Sequence, residues 1–412
     1  MTSDNREADI NDLLSDEAIN DPQRYFARLR SIHPVLWNPR WNGWIVTSHE
    51  AVLAGFRDSA RLSSDRFSGP FGAELRSNAN GSTEQLLGFL SKFFVWKDPP
   101  YHTRARALVN RVFAPKTLDV LRPRVHDLVQ TLSEQLRDGE AVDFLAGFAF
   151  SLPVVVISEF LGIGPESRED VKAWSEDLGA VIFVSGGDEA EKYRRGQEAM
   201  GHLADLFRPI VRARIATPQD DVLSAMAQPD EHGDRLSEDE IIANAALMVF
   251  AGHETTMNLL CNGMVAFSRF PQQWELLRNH PELAPKATEE MLRYDGPIRG
   301  LGRWAKESFD FFGASIRQGD RVFLIQHAAN RDPAAFVDPD RFDITRWPNR
   351  HAAFGQGIHT CLGAPLARME VQEALVQLSR KFSSIEIVTP DLRYNRTMVS
   401  RSLKALQLRF HA

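Results

Sequence analysis

A chain of 412 residues with 43% hydrophobic side chains can bury a large core, and no Gly/Ser linker, repeat or low-complexity tract divides it. A net charge of −7 with both signs interspersed argues against nucleic acid as a partner, and no apolar run approaches the roughly 18 residues that span a bilayer. Only two cysteines, Cys261 and Cys361, and no secretion signal exclude a disulfide framework and point to a reducing cytoplasm.

Residues 1–21 are polar and acidic and read as a tail, leaving 22–412 as a single domain. A helical pattern follows from Pro22 to Ile32, then Val35–Trp37 and Trp44–Thr47 flank Pro39 and Gly43 as a β-hairpin. His49 to Ser59 is helical again. From Ser63 to about Ser91 the pattern dissolves into Gly, Ser, Asn and Phe, which suits a lid or a surface loop. Asp98-Pro99-Pro100 marks the start of a helix that carries His102 and Arg106 four apart on one face, a spacing able to hold an anionic group. Spacing from Pro123 to Ile215 is mainly helical.

Ser237-x-x-Glu240 is a capping box, and the helix it starts runs to about Phe270 before Pro271. Its apolar middle is interrupted by Ala251-Gly252-His253-Glu254-Thr255-Thr256. Glycine and a carboxylate are both costly inside a buried helix, so a compensating use is expected. Glu290 and Arg293 sit at i,i+3 in the next helical run, Pro285 to Tyr294. Strand-like stretches follow at Pro297–Arg303, Ser308–Phe312 and Arg321–Ile325, the last two expected to pair across Gln318-Gly319-Asp320. Leu403 to Phe410 reads as a final strand.

The most specific stretch is Phe354-Gly355-Gln356-Gly357-Ile358-His359-Thr360-Cys361-Leu362-Gly363. Its glycines let the backbone lie close against a flat object, and Cys361 is presented where a helical pattern, Leu362 to Phe382, begins. Backbone amides and the positive helix end would favour a thiolate, the metal-binding form of cysteine. A glycine-rich turn with one small buried residue is the alternative. These ten residues match the F-G-x-G-x-H-x-C-x-G haem-binding signature of the cytochrome P450 monooxygenases at every fixed position, and the chain resembles that family from about Pro34 to its end.

That resemblance implies a mainly α fold with small β-sheets (α+β), a long central helix over haem b and the cysteine loop beneath it. Cys361 would be the proximal iron ligand, in a setting made by Phe354, Gly355, His359 and Gly363, and His102, Arg106, Arg303 and His351 would hold the propionates. Ala251-Gly252-x-Glu254-Thr255 resembles the oxygen-binding motif: Gly252 lets the helix approach, Thr255 hydrogen-bonds dioxygen or an ordered water, and Glu254 relays protons. His253 has no counterpart there and is expected to point away from the iron. Glu290 and Arg293 resemble the E-x-x-R pair, buried behind the haem with Arg341 of Pro339-Asp340-Arg341-Phe342 as a structural group. Phe93, Ile182, Phe183, Val249, Ile298, Leu301 and Met398 are the candidate pocket walls, for a largely hydrophobic small molecule.

The implied reaction inserts one oxygen atom of O2 into a C–H bond. With no flavin or ferredoxin motif after the haem loop, the electrons of NAD(P)H would arrive through a ferredoxin or flavodoxin and its reductase, at a monomer. Arg104, Arg111, Lys116, Arg350 and Arg368 are the basic residues expected to receive it. A peroxide-dependent or non-oxygenating relative, or a haem gas sensor, are the alternatives; the first group often loses the acid–threonine pair kept here, and a sensor needs a signalling module.

Overall fold

The computed structural model describes residues 10–67, 72, 84–113, 115–182, 188–219 and 221–412. Ser15 caps α1 (Asp16–Asn20) and Asp21 caps α2 (Pro22–Ile32), each side chain accepting a backbone N–H three residues on. Leu13, Ala18 and Ile19 are buried, which corrects the expectation of a tail up to residue 21. Averaged composition hid these few apolar side chains, which are enough to dock one short helix. Arg299 Nη2 then donates to the Ala18 carbonyl at 2.9 Å, tying the helix to the far end of the chain.

β1 (Val35–Asn38) and β2 (Gly43–Val46) form the expected antiparallel hairpin, followed by α3 (His49–Arg57) and β3 (Leu62–Ser63). α4 (Glu84–Leu90), α5 (Tyr101–Asn110), α6 (Pro115–Glu134), β4 (Ala141–Asp143), α7 (Ser151–Phe160), α8 (Arg168–Ile182), α9 (Glu189–Ala216) and α10 (Val222–Ala227) succeed them. Asp98 does not cap α5. Its carboxylate accepts from Ser63 Oγ at 2.6 Å and Ser64 N–H at 3.0 Å, pinning the end of β3 to the start of that helix.

α11 (Glu238–Arg269) is the axis, its capping box closed by Ser237 and Glu240. At about 1.5 Å per residue its 32 residues extend about 48 Å. Its first half, Ile241 to Phe250, packs in one apolar cluster with α4, α5, α8 and α9. Its second half, Leu259 to Phe267, packs in another with α6 and with elements from the last third of the chain. The polar stretch at 251–258 therefore falls between two cores.

The last third comprises α12 (Pro271–Asn279), α13 (Ala284–Asp295), β5 (Leu301–Ala305), β6 (Phe309–Phe311), β7 (Ala314–Ile316), β8 (Arg321–Leu324), α14 (Gln326–Ala329), α15 (Ala364–Lys381), β9 (Ser384–Ile387) and β10 (Gln407–His411). The main sheet has the order β1-β2-β8-β5-β3, with β2 and β8 parallel; a second runs β4-β10-β9. The expected pairing of 308–312 with 321–325 is corrected. β6 pairs with β7 across Phe312 (φ 48°) and Gly313 (φ 83°), a two-residue turn at positive φ that suits a hairpin, and β8 pairs with β2 and β5 instead.

Glu290 and Arg293 of α13 form a fully buried pair, Nε to Oε2 at 2.7 Å and Nη2 to Oε1 at 2.8 Å. Arg341 departs from its expected place there. Its side chain is 63% exposed and only its carbonyl is used, accepting from Arg293 Nη2 at 3.0 Å. The second guanidinium on Glu290 belongs to Arg346, 3.3 Å away, since the chain after Phe342 turns back toward α13.

Candidate functional site

The cysteine loop takes its shape from glycine. Gly355 and Gly357 have φ of 64° and 73°, and a Cβ on Gly357 would come within 2.6 Å of the Phe56 carbonyl oxygen, so both left-handed backbone and close approach demand glycine. Cys361 N–H donates to the Phe354 carbonyl at 2.9 Å, closing the loop, and Gly363 caps α15. The thiol opens on a cavity of about 360 Å³ shared with Phe354, Gly355 and His359. Burial raises the Cys361 pKa; the amides of Gly363 and Ala364 and the charges of Arg106 and Arg368 oppose that shift without cancelling it. The thiolate expected from amides and helix end alone thus needs a cation to complete it.

Beside the part of the cavity wall made by His359 and Arg303, His102 and Arg106 complete a group of four nitrogen-bearing side chains. The His102 and His359 rings lie 4.1 Å apart, and all four of their nitrogens are buried with no hydrogen-bond partner among the described residues. Arg106 Nη2 donates to the Thr360 carbonyl at 2.6 Å, and Arg303 Nη1 to the Gly302 carbonyl at 2.8 Å with its guanidinium 5.3 Å from the Phe56 ring centroid. Burial, then the neighbouring arginines, pushes His102 and His359 down to about 4 and about 2, and burial lowers Arg303 to about 10. The nearby carboxylate, Asp98, is already taken by Ser63 and Ser64. Buried donors without acceptors are unfavourable unless a ligand supplies them. Carboxylates entering from the cavity would, and among the described residues no three His, Cys, Asp or Glu side chains are grouped to hold a metal by themselves. A macrocycle bringing its own iron ligands and two acid groups fits both observations.

His351 is not in this cluster. Its Nε2 lies 3.0 Å from Glu289 and its Nδ1 accepts from Ala353 N–H, so both nitrogens are spent behind the loop. There Arg368 also pairs with Glu289, at 2.7 Å, and lies over the Phe354 ring.

On α11, Leu247, Ala251, Thr255 and Leu259 line the cavity at steps of four, together with Phe250. Thr255 Oγ1 donates to the Ala251 carbonyl at 3.0 Å. Gly252, expected to admit the cavity's occupant, faces α7: a Cβ there would meet Ile157 at 2.9 Å. One residue on from Ala251 is about 100° around the helix, which sends Gly252 to the helix contact. Glu254 lies behind the wall, against Gly179 of α8, and burial followed by the charge of Glu176 pushes its carboxyl up to about 8. His253 is buried, its Nδ1 2.7 Å from the Val249 carbonyl and its ring edge-on to Phe150, which agrees with its pointing away. Asn258, one turn on, is buried with its side chain beside the Glu254 carboxyl, a contact that opposes part of that carboxyl's upward shift.

Ile182, Ile298, Leu301 and Met398 line the cavity. Phe93 and Val249 do not. Phe93 is buried and stacked on Trp96, which takes the wall with Val95; on α11 the wall falls to Leu247 and Phe250, in phase with Thr255, while Val249 is turned into the core. Phe183 lies outside the described residues, as does the Lys116 side chain. Sequence reasoning also missed Ser64, Arg66 and Arg321. The step of four from Thr255 was a usable signal for Leu247; nothing local marked the three polar residues.

The basic face is narrower than the sequence suggested. Arg104 is paired with Asp234 at 2.9 Å and Glu240 at 3.0 Å, and Arg368 with Glu289. Arg111 and Arg350 are exposed, and Arg111 donates only to the carbonyls of Gln228, Pro229 and Leu108.

The profile of the family described as Cytochrome P450 matches residues 189–410. The chain is 33% identical over 403 residues to the biotin biosynthesis cytochrome P450 of Bacillus subtilis, covering 96% of this chain and 98% of the relative. It is 36% identical over 408 residues to the 6-deoxyerythronolide B hydroxylase of Saccharopolyspora erythraea, covering 97% and 98%. Among solved structures, P450BioI in complex with an acyl carrier protein bearing hexadec-9Z-enoic acid superposes with a TM-score of 0.88 at 32% identity, covering 96% of this chain and all of that one.

Proposed function

The chain belongs to the cytochrome P450 family and is a haem monooxygenase, and on that footing we propose that it hydroxylates a largely hydrophobic small molecule in the cavity bounded by Cys361 and α11. The observation that carries this reading is one glycine-framed thiol facing a cavity that Arg303 and His359 also line, with His102 and Arg106 grouped beside His359. Cys361 holds the iron of haem b as thiolate, while Arg106, Arg303, His102 and His359 receive its propionates. When bound, the haem supplies the iron at which O2 is activated.

The protein's part is position and protons. The amides of Gly363 and Ala364 and the charges of Arg106 and Arg368 steady the sulfur. Thr255 keeps its hydroxyl on the cavity wall by donating to Ala251, ready to turn that proton toward a water or substrate oxygen. Glu254, protonated up to about pH 8, is a proton reserve one layer behind, and Asn258 a turn further on is the polar side chain beside it. Retention of both Glu254 and Thr255 favours oxygen activation over a peroxide-dependent or non-oxygenating reaction.

Electrons come from a separate partner, here assigned as a ferredoxin or flavodoxin supplied from NAD(P)H by its reductase. Arg111 and Arg350 are its points of attraction, acting on encounter rate more than on affinity. Among the described residues no helix is long and apolar enough to cross a membrane, and the enzyme is here assigned to the cytoplasm as a monomer. The test is spectroscopic. Reduced protein under carbon monoxide shows the red-shifted Soret band of a thiolate complex and Cys361→His abolishes it; an unchanged band in the variant overturns the assignment.

A further inference from the structure

Three arginines open on the cavity, Arg66, Arg303 and Arg321, and among the described residues no aspartate or glutamate does. Arg303 belongs with the histidine pair. Arg66 stands apart: its Nη1 donates to the Ile182 carbonyl at the end of α8 at 3.1 Å, and its guanidinium lies 4.9 Å from the Trp96 ring centroid. Burial lowers it to about 10, which leaves it cationic at neutral pH. Two residues earlier Ser64 lines the same cavity at 3% exposure, and its Oγ is buried with no hydrogen-bond partner among the described residues. Ser64 is held there. Its N–H donates to Asp98 Oδ1 at 3.0 Å while Ser63 Oγ occupies the other oxygen of that carboxylate at 2.6 Å.

A buried hydroxyl without a hydrogen-bond partner, two residues from a guanidinium on the wall of the same cavity, is left in want of an acceptor. We infer that Ser64 and Arg66 form an anion subsite of the substrate cavity, and that preferred substrates are apolar molecules bearing one carboxylate. The inference rests on the reading of this cavity as the substrate site. The planar guanidinium of Arg66 matches the two oxygens of a carboxylate, and the Ser64 hydroxyl can donate to one of them. The hydrocarbon body is taken by the apolar wall, with Phe250 and Ile298 opposite each other in sequence origin but on one surface.

The experiment uses the haem-loaded protein, titrated with straight-chain and cyclic carboxylic acids and with the methyl ester of each, following the Soret shift. Acids that bind are expected to do so about 10- to 100-fold tighter than their esters, the range of one charge-assisted hydrogen bond. Arg66→Gln erases that preference while leaving ester binding within about twofold, Arg66→Lys keeps part of it, and Ser64→Ala narrows it. Acids no tighter than their esters, no shift from any acid, or a preference that survives Arg66→Gln each overturn the subsite. Should Arg66→Gln fail to load haem, the wild-type comparison and Ser64→Ala decide alone. The carbon monoxide band of the same preparations separates the two readings: an intact band with no acid preference rejects the subsite only, and a missing thiolate band rejects both.

Discussion

Arg293→Ala removes more bonding from this protein than any surface change can. All five donors of Arg293 are used: two on Glu290, and the rest on the carbonyls of Asn330 at 3.0 Å, Pro339 at 2.7 Å and Arg341 at 3.0 Å. Both partners of the ion pair are fully buried. The truncation leaves the carbonyls of Asn330 and Pro339 without that donor, the Arg341 carbonyl with Arg346 alone, and a buried carboxylate supported by Arg346, Asn349 and the Asp343 N–H. Breaking such a pair costs about 3–5 kcal/mol, out of a total stability of about 5–15 kcal/mol. Arg293→Lys restores charge but not the fork and recovers only part of it. Arg341→Ala is the control: its guanidinium is exposed and its nearest acid, Asp343, is 3.9 Å away, so a change within about 0.5 kcal/mol is expected. Urea unfolding by fluorescence, with Soret absorbance for haem retention, reads both variants. A loss below about 1 kcal/mol for Arg293→Ala, or an equal loss for Arg341→Ala, would refute the reasoning.

Two further outcomes follow from α11. Thr255→Ala should retain haem and the substrate-induced Soret shift but divert NAD(P)H consumption to peroxide; unchanged product per electron pair would sink the proton role of its hydroxyl. Glu254 holds its proton up to about pH 8 in the folded protein against an ordinary value of 4.5, so the folded state binds the extra proton between those limits and loses stability as pH rises through them. Glu254→Gln does not titrate, and its stability relative to the wild type should therefore climb from about pH 4.5 to about pH 8; a difference that stays flat with pH contradicts the buried-acid assignment.

The parts of the site that were legible beforehand are those whose residue type has few other uses. A loop with Gly355 and Gly357 at positive φ accepts almost nothing else, and a buried Glu–Arg pair on one helix face is rare without a partner to justify it. The misassignments share one cause. Gly252, Val249 and Phe93 were placed by proximity in sequence, whereas each faces away from the cavity because of the angle it occupies on its helix or turn. His351 had the right chemistry in the right segment but is held by Glu289, and Arg341 stays exposed while Arg346 takes the place beside Glu290.

By itself the sequence determined the family, the helical architecture, the long capped α11 with its polar interruption, and the thiol that faces the cavity, since caps, periodicity and glycine requirements act within a few residues of chain. Only the tertiary structure decided which side chains share the cavity. Ser64 with Arg66, Trp96, Ile182, Phe250 and Ile298 come from five separate segments, and their common surface exists because two apolar clusters meet along α11 and leave the space between them unfilled. Local spacing carries no information about that meeting, because burial energy depends on the area removed from water and not on the order in which the chain supplies it.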